Sequence, residues 1–254
     1  MGRRLIPKPV ARGVDCRLRP ARISHSMAGN LVIAIDGPVG AGKSAVARAL
    51  AKRLGFRYLD SGAMYRAVTL KALRLGVDMR DEAALTRVAQ ESDIELKAAP
   101  GGVRVLLDGE DVSGPVRSLE VTNSAFGPSQ TPGVRTRMVE LQRGASSGGP
   151  LVAEGRDMGT VVFPGAPAKF FLDASVAERA KRRYAEHVAK GESISMEELK
   201  RQIVLRDERD STREASPLKK ADDAVSIDTS NMTIDEVVES IVSVLTARGL
   251  LSAE

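Results

Sequence analysis

Thiols are almost absent: Cys16 is the only cysteine among 254 residues. A lone thiol excludes an intramolecular disulfide framework and leaves too few sulfur ligands for a cysteine-based zinc site. Tryptophan is missing and aromatics make up 3% of the chain, so the core must come from Ala, Val, Leu and Ile. No apolar run approaches the roughly 20 residues of a membrane-spanning helix; the run that begins at Leu31 stops at Asp36. We therefore expect a soluble protein of a reducing compartment, the cytoplasm, without a membrane partner.

The net charge of +5 is unevenly placed. Arg3, Arg4, Lys8, Arg12, Arg17, Arg19 and Arg22 face a single acid, Asp15, within residues 1–29, which leaves 31 basic against 32 acidic residues in 30–254. The high pI thus belongs to the first 29 residues. Basic tails attract phosphate backbones, but this one has no aromatic for stacking bases and no helical or strand period. It also lacks a secretory apolar stretch, although an arginine-rich transit peptide fits its composition. The expectation is a basic, disordered extension or a mis-assigned start ahead of Met27.

From residue 31, short apolar strands alternate with helical stretches. Strands are expected at 31–35, 58–60, 151–153, 169–172 and 224–227. The first helix carries Val46, Ala49, Leu50 and Leu54 on one stripe and ends at Gly55. Further helices are expected up to about residue 75, over 81–91 and through 116–144. Three strand-like runs at 94–97, 103–107 and 110–112, joined by Pro100-Gly-Gly102 and Asp108-Gly109, form a small antiparallel insert. Ser/Thr-x-x-Glu boxes at Ser175, Ser195 and Thr233 announce helices. Such alternation specifies an α/β fold: a parallel sheet flanked by helices, with ligands at the carboxyl ends of the strands. The core covers 30–93 and 121–254, and the insert 94–120.

Gly37-Pro38-Val39-Gly40-Ala41-Gly42-Lys43-Ser44, with Ala45 behind it, fits G-x-x-x-x-G-K-[ST] between a strand and a helix. Glycines let backbone N–H groups turn inward around phosphate, and the helix N-terminus adds its positive end. Lys43 suits the β- and γ-phosphates, and the Ser44 hydroxyl suits Mg²⁺ bound with ATP. None of Asn30, Asn123 and Asn231 begins a GTPase-type Asn-Lys-x-Asp base reader, and no Ser-Gly-Gly-Gln signature is present. A small-molecule kinase remains, and it needs an acceptor site.

Three clusters supply candidates. Asp60-Ser61-Gly-Ala-Met-Tyr65-Arg66 turns a strand into a helix, with Ser61 as the expected cap. Glu154-Gly-Arg156-Asp157-Met-Gly-Thr160 follows a strand, where Arg156 offers a fork of donors and Asp157 accepts from an amino group. Arg206, Arg209, Asp210 and Arg213 fall at i, i+3, i+4 and i+7, on one face of an expected helix, with Asp207 and Glu214 on another. A solvated, salt-bridged helix is the plain alternative; three aligned arginines suit a phosphate in transit between two anions.

These motifs, in this order over about residues 30–248, resemble bacterial cytidylate kinases, and the Gly-Arg-Asp-Met-Gly-Thr string is particularly specific. The resemblance implies a P-loop kinase core, an enlarged monophosphate-binding domain containing the β insert, a helical lid at about 191–215, and phosphoryl transfer from ATP to CMP or dCMP by a monomer. It further implies that Ser61, Tyr65, Arg66 and Arg156 contact the monophosphate, that Arg135 and Asp157 read the cytosine, that Arg206 and Asp210 hold the sugar, and that Arg209 and Arg213 clamp phosphates. Phe126 departs from the pattern, standing where a base-contacting serine is expected, with Ser124 two residues earlier. Rival readings are a related kinase for UMP, AMP or another acceptor, and a nucleotide-dependent nucleic-acid-binding module; a nucleic-acid partner is not expected.

Overall fold

A run of Val-Ile-Ala-Ile closed by an aspartate is buried from end to end, as expected of a strand covered on both faces. In the computed structural model, which describes residues 31–99, 102–189 and 191–252, this run is the central strand of a parallel sheet. The extension over 1–29 and the turn residues 100 and 101 lie outside the described residues. In chain order the elements are β1 (Val32–Asp36), α1 (Lys43–Leu54), β2 (Arg57–Asp60), α2 (Ser61–Arg74), α3 (Glu82–Gln90), β3 (Ile94–Ala99), β4 (Gly102–Leu107) and β5 (Glu110–Asp111). They continue with α4 (Leu119–Ser124), α5 (Phe126–Gln130), α6 (Pro132–Ala145), β6 (Leu151–Gly155), β7 (Ala168–Asp173), α7 (Val176–Ala189), α8 (Met196–Thr212), β8 (Val225–Asp228) and α9 (Ile234–Ala247).

The five-stranded sheet has the order β2-β6-β1-β7-β8, all parallel. Side chains of β1 alternate between its faces. Ile33 and Ile35 pack with Val46, Leu50, Phe170, Ile241 and Leu245 under α1 and α9, whereas Val32 and Ala34 pack with Leu59, Ala153, Met158 and Val162. A separate core formed by α2, α3, α6 and the insert centres on Val68, Leu85, Val105 and Met138. The insert is the antiparallel sheet β3-β4-β5, and its Asp108-Gly109 turn has φ of 51° and 82°, the left-handed pair a tight hairpin requires. Helices α7 and α8 share a small cluster of Ala180, Leu199 and Ile203.

Register fixes the working edge. Asp36 lies opposite Gly155, and Asp60 opposite Glu154, so Asp36, Glu154 and Asp60 meet where the strands end. The single helical stretch expected over 116–144 is instead broken. A 3-10 turn at Pro115–Arg117 precedes α4, which Ser118 caps through Val121 N. Thr131 is extended ahead of Pro132, as the residue before a proline must be.

Candidate functional site

The phosphate loop is shaped by backbone that only glycine tolerates. Gly37 has φ 149°, and a Cβ there would stand 2.0 Å from the Leu172 carbonyl oxygen of β7. Gly42 caps α1 at φ 86° with no side-chain cap bond and no acid in the first turn. The first-turn N–H groups of α1 are thus left for an anion. Residues Pro38, Val39, Gly40 and Ala41 form the turn, while Lys43, Ser44 and Ala45 begin the helix. Two braces hold the turn from outside: Arg179 donates to Val39 O at 3.1 Å, and Thr229 Oγ1 donates to Ala41 O at 3.1 Å.

Lys43 is 5% exposed, and its Nζ donates to Pro38 O at 2.8 Å. Burial and the neighbouring Arg156 push its amine down to about 7, against the pull of Glu154, Asp36 and Asp210. Ser44 donates to Glu154 Oε1, which also accepts from Tyr58 at 3.0 Å. Burial and Asp60 push the Glu154 carboxyl up. Asp36 accepts Met158 N at 2.8 Å and Gly159 N at 2.7 Å. Burial nevertheless raises it to about 6, outweighing those two bonds.

Across the sheet edge, the expected cap of α2 moves by one residue. Asp60, in extended conformation, accepts Ala63 N at 2.8 Å, whereas Ser61 is already helical and donates to Glu154 O at 2.7 Å. Asp60 also faces Arg66 at 3.6 Å and Arg117 at 3.7 Å. Deeper in, Arg135 and Asp157 form a buried ion pair. Arg135 lies 5.6 Å from the Tyr65 ring centroid and donates to Ser129 O at 3.1 Å. Burial lifts the Tyr65 phenol to about 12. Arg156 Nε donates to Asp210 at 2.9 Å; burial pushes that carboxyl up, but Arg156, Arg206 and Arg213 together hold it below its ordinary range.

Three nitrogens here are buried without a partner: Arg66 Nε, Arg135 Nε and Arg213 Nη2. A buried donor left unpaired costs on the order of 1–3 kcal/mol, so each of these nitrogens is open to an acceptor.

The stripe expected at 206, 209, 210 and 213 is only partly helical. Helix α8 ends at Thr212; Arg213 is extended, and its Nε donates to Ser216 O at 2.6 Å. The chain reverses there, with Ser216 at φ 52°, so Arg213 reaches the Tyr65–Asp157 wall by way of a turn and Glu214 leaves the helix altogether. Arg206 stays solvent-accessible on the cleft wall, yet crowding by protein atoms and by Arg156, Arg183 and Arg66 pushes its guanidinium down to about 10. Arg209 stacks on Phe126, 5.0 Å from the ring centroid.

Asp36 and Glu154, and with them Arg179 and Asp207, have no assigned role in the sequence, although Glu154 and Asp207 stand in its clusters; the geometry gives partners to all four. The signal for the first two was an acid ending an otherwise apolar buried strand, which is costly unless it is used. A cavity of about 620 Å³ beside β2, α1 and the insert contains none of the anticipated residues.

A family model described as cytidylate kinase matches residues 33–247. A cytidylate kinase of Geobacillus sp. strain WCH70 is 49% identical over 222 residues, which is 87% of this chain and 99% of that protein. One from Pelotomaculum thermopropionicum is 51% identical over 216 residues, 85% of this chain and 96% of its own. One from Geobacillus kaustophilus is 49% identical over 216 residues, with the same shares.

Proposed function

The chain belongs to the cytidylate kinase family, and from that premise we propose that it moves the γ-phosphoryl group of ATP to CMP or dCMP, releasing ADP with CDP or dCDP. The observation that carries the choice of acceptor is the buried Arg135–Asp157 pair beside Tyr65. An arginine next to a carboxylate offers donors to a ring carbonyl and an acceptor to an exocyclic amine, the combination cytosine presents. Uracil would turn a carbonyl toward Asp157 and set two acceptors against each other.

Around that pair, Ser61, Tyr65, Arg66 and Arg156 take the monophosphate, and Asp210 with Arg206 takes the sugar hydroxyls. Residues Gly37 to Ala45 cradle the ATP phosphates, with Lys43 on the β,γ side. Arg206, Arg209 and Arg213 neutralise charge on the group in transit. The unpartnered nitrogens of Arg66, Arg135 and Arg213 support this reading, since a bound nucleotide supplies the acceptors they lack. The chemistry is positioning and charge neutralisation, with no covalent enzyme intermediate.

Magnesium bound with ATP fits the donor set here. Hard cations with phosphate ligands take few protein oxygens, and the Ser44 hydroxyl gives its proton to Glu154, leaving its lone pairs free. When bound, the ion draws charge from the β- and γ-phosphates. Dependence on ATP supports a cytoplasmic site of action.

The test is ADP release from MgATP with CMP, dCMP, UMP, AMP or no acceptor. Turnover confined to CMP and dCMP is expected. Turnover with UMP or AMP but not CMP would keep the kinase and overturn the role given to Arg135 and Asp157.

A further inference from the structure

Phe126 is a large apolar side chain, 45% exposed, at the start of a five-residue helix. Its backbone is closely packed and bonded. Gly127 lies so close to the preceding layer that a Cβ would stand 2.3 Å from Met79 O. Ser129 Oγ donates to Phe126 O at 2.8 Å, and Ser129 O in turn accepts from Arg135 at 3.1 Å. One short helix therefore carries an exposed ring at one end and a brace for Arg135 at the other.

The ring is not idle. The Arg209 guanidinium of α8 lies over it, 5.0 Å from the centroid, within range of an attractive cation–π contact. This contact joins the lid to the acceptor side of the cleft. A ring offers no oxygen acceptor, so the contact commits none of the guanidinium N–H groups to a carboxylate or carbonyl. An aromatic ring can thus orient Arg209 without competing with a phosphate for its donors, which a carboxylate partner could not do. A serine at 126 would present no such face.

We propose that Phe126 is a positioning residue for the lid: its ring seats Arg209 at the mouth of the acceptor site, so that α5 links base recognition at Arg135 to lid closure. The inference rests on Arg209 acting as a phosphate clamp. It also gives the departure at 126 a use, because the ring serves the lid and base contact is left to Arg135 and Asp157.

The test is a double-mutant cycle on the full chain, with kcat and both KM values measured for ATP and CMP. Phe126→Leu keeps an apolar side chain and removes the ring; a contact of about 0.5–1 kcal/mol corresponds to a two- to five-fold loss. That loss is expected in kcat, with KM for ATP unchanged. Phe126→Tyr, which keeps the ring, should restore wild-type turnover. In an Arg209→Ala background, Phe126→Leu should cost nothing further. If it costs as much there as in the wild type, or nothing in either, or if Phe126→Tyr fails as Phe126→Leu does, the seating role is wrong. Full activity of Arg209→Ala alone would instead remove the clamp reading on which the proposal stands.

Discussion

Lys43 shows how the fold stores work in one side chain. Its amine is held near 7 by burial and by Arg156, although Glu154, Asp36 and Asp210 pull the other way. At pH 8 only about one-tenth of such amines carry a proton. Phosphate oxygens around Nζ favour the charged form, so nucleotide binding must draw in a proton. We expect ADP binding at pH 8 to take up close to one proton, measured by calorimetry in buffers of different ionisation heat, and the share due to Lys43 to be nearly gone at pH 6, where the free amine is already charged and any uptake left belongs to Asp36, which burial holds near 6. Lys43→Met should abolish the uptake at pH 8; persistent uptake in that variant would assign the shifted group elsewhere. At the acceptor end, removing either partner of the Arg135–Asp157 pair outright would leave a buried charge alone, at a cost of about 3–5 kcal/mol. Asp157→Asn keeps an acceptor oxygen and the shape. It should raise KM for CMP at least ten-fold more than KM for ATP in steady-state assays, and equal increases would remove Asp157 from the base site.

Helix ends divide here into those that serve stability and those left open for a ligand. Helix α9 begins with a complete capping box, Thr233 and Glu236 satisfying each other's backbone N–H groups. Helix α1 begins with Gly42 and no side-chain cap. Thr233→Ala should lower unfolding free energy by about 1 kcal/mol in urea titration while leaving kcat and both KM values unchanged, because Thr233 is exposed and α9 carries none of the anticipated site residues. Such local chemistry is what sequence reveals well: the phosphate loop, the Asp108-Gly109 hairpin and this box all follow from residues a few positions apart. Choices made by distant partners stay hidden. Asp60 and Ser61 are both capping types, and what releases Ser61 from that task is the Glu154 carbonyl, 93 residues along the chain. The stripe through 206 and 213 could not reveal that Arg213 turns out of the helix to bond Ser216. Asp36 and Glu154 looked like strand ends until sheet register set them beside Lys43 and Ser44.

On the scale of the whole molecule, α8 bonds to residues on both sides of the proposed site. Asp207 bonds Arg179 at 2.6 Å, and the same arginine holds Val39 O of the phosphate loop and Ala174 O. One turn later, Asp210 bonds Arg156 on the acceptor side. Helix α8 is therefore tied to the phosphate loop through Asp207 and Arg179, and to Arg156, on the side proposed for the acceptor, through Asp210. Arg179 is 4% exposed, so when Asp207 loses its charge, a buried cation is left leaning on two carbonyls, one of them in the phosphate loop. Asn is the informative replacement: Oδ1 of Asp207 has no partner in the structure, so an amide nitrogen can take its place without breaking another bond. Asp207→Asn should raise KM for ATP about ten-fold, the loss of roughly 1.5 kcal/mol from one charged hydrogen bond, with KM for CMP moving less than two-fold. This is the mirror of the split expected for Asp157→Asn. If both KM values rose together, the lid would be closing as one rigid unit over both substrates, and the division of labour between Asp207 and Asp210 would have to be abandoned.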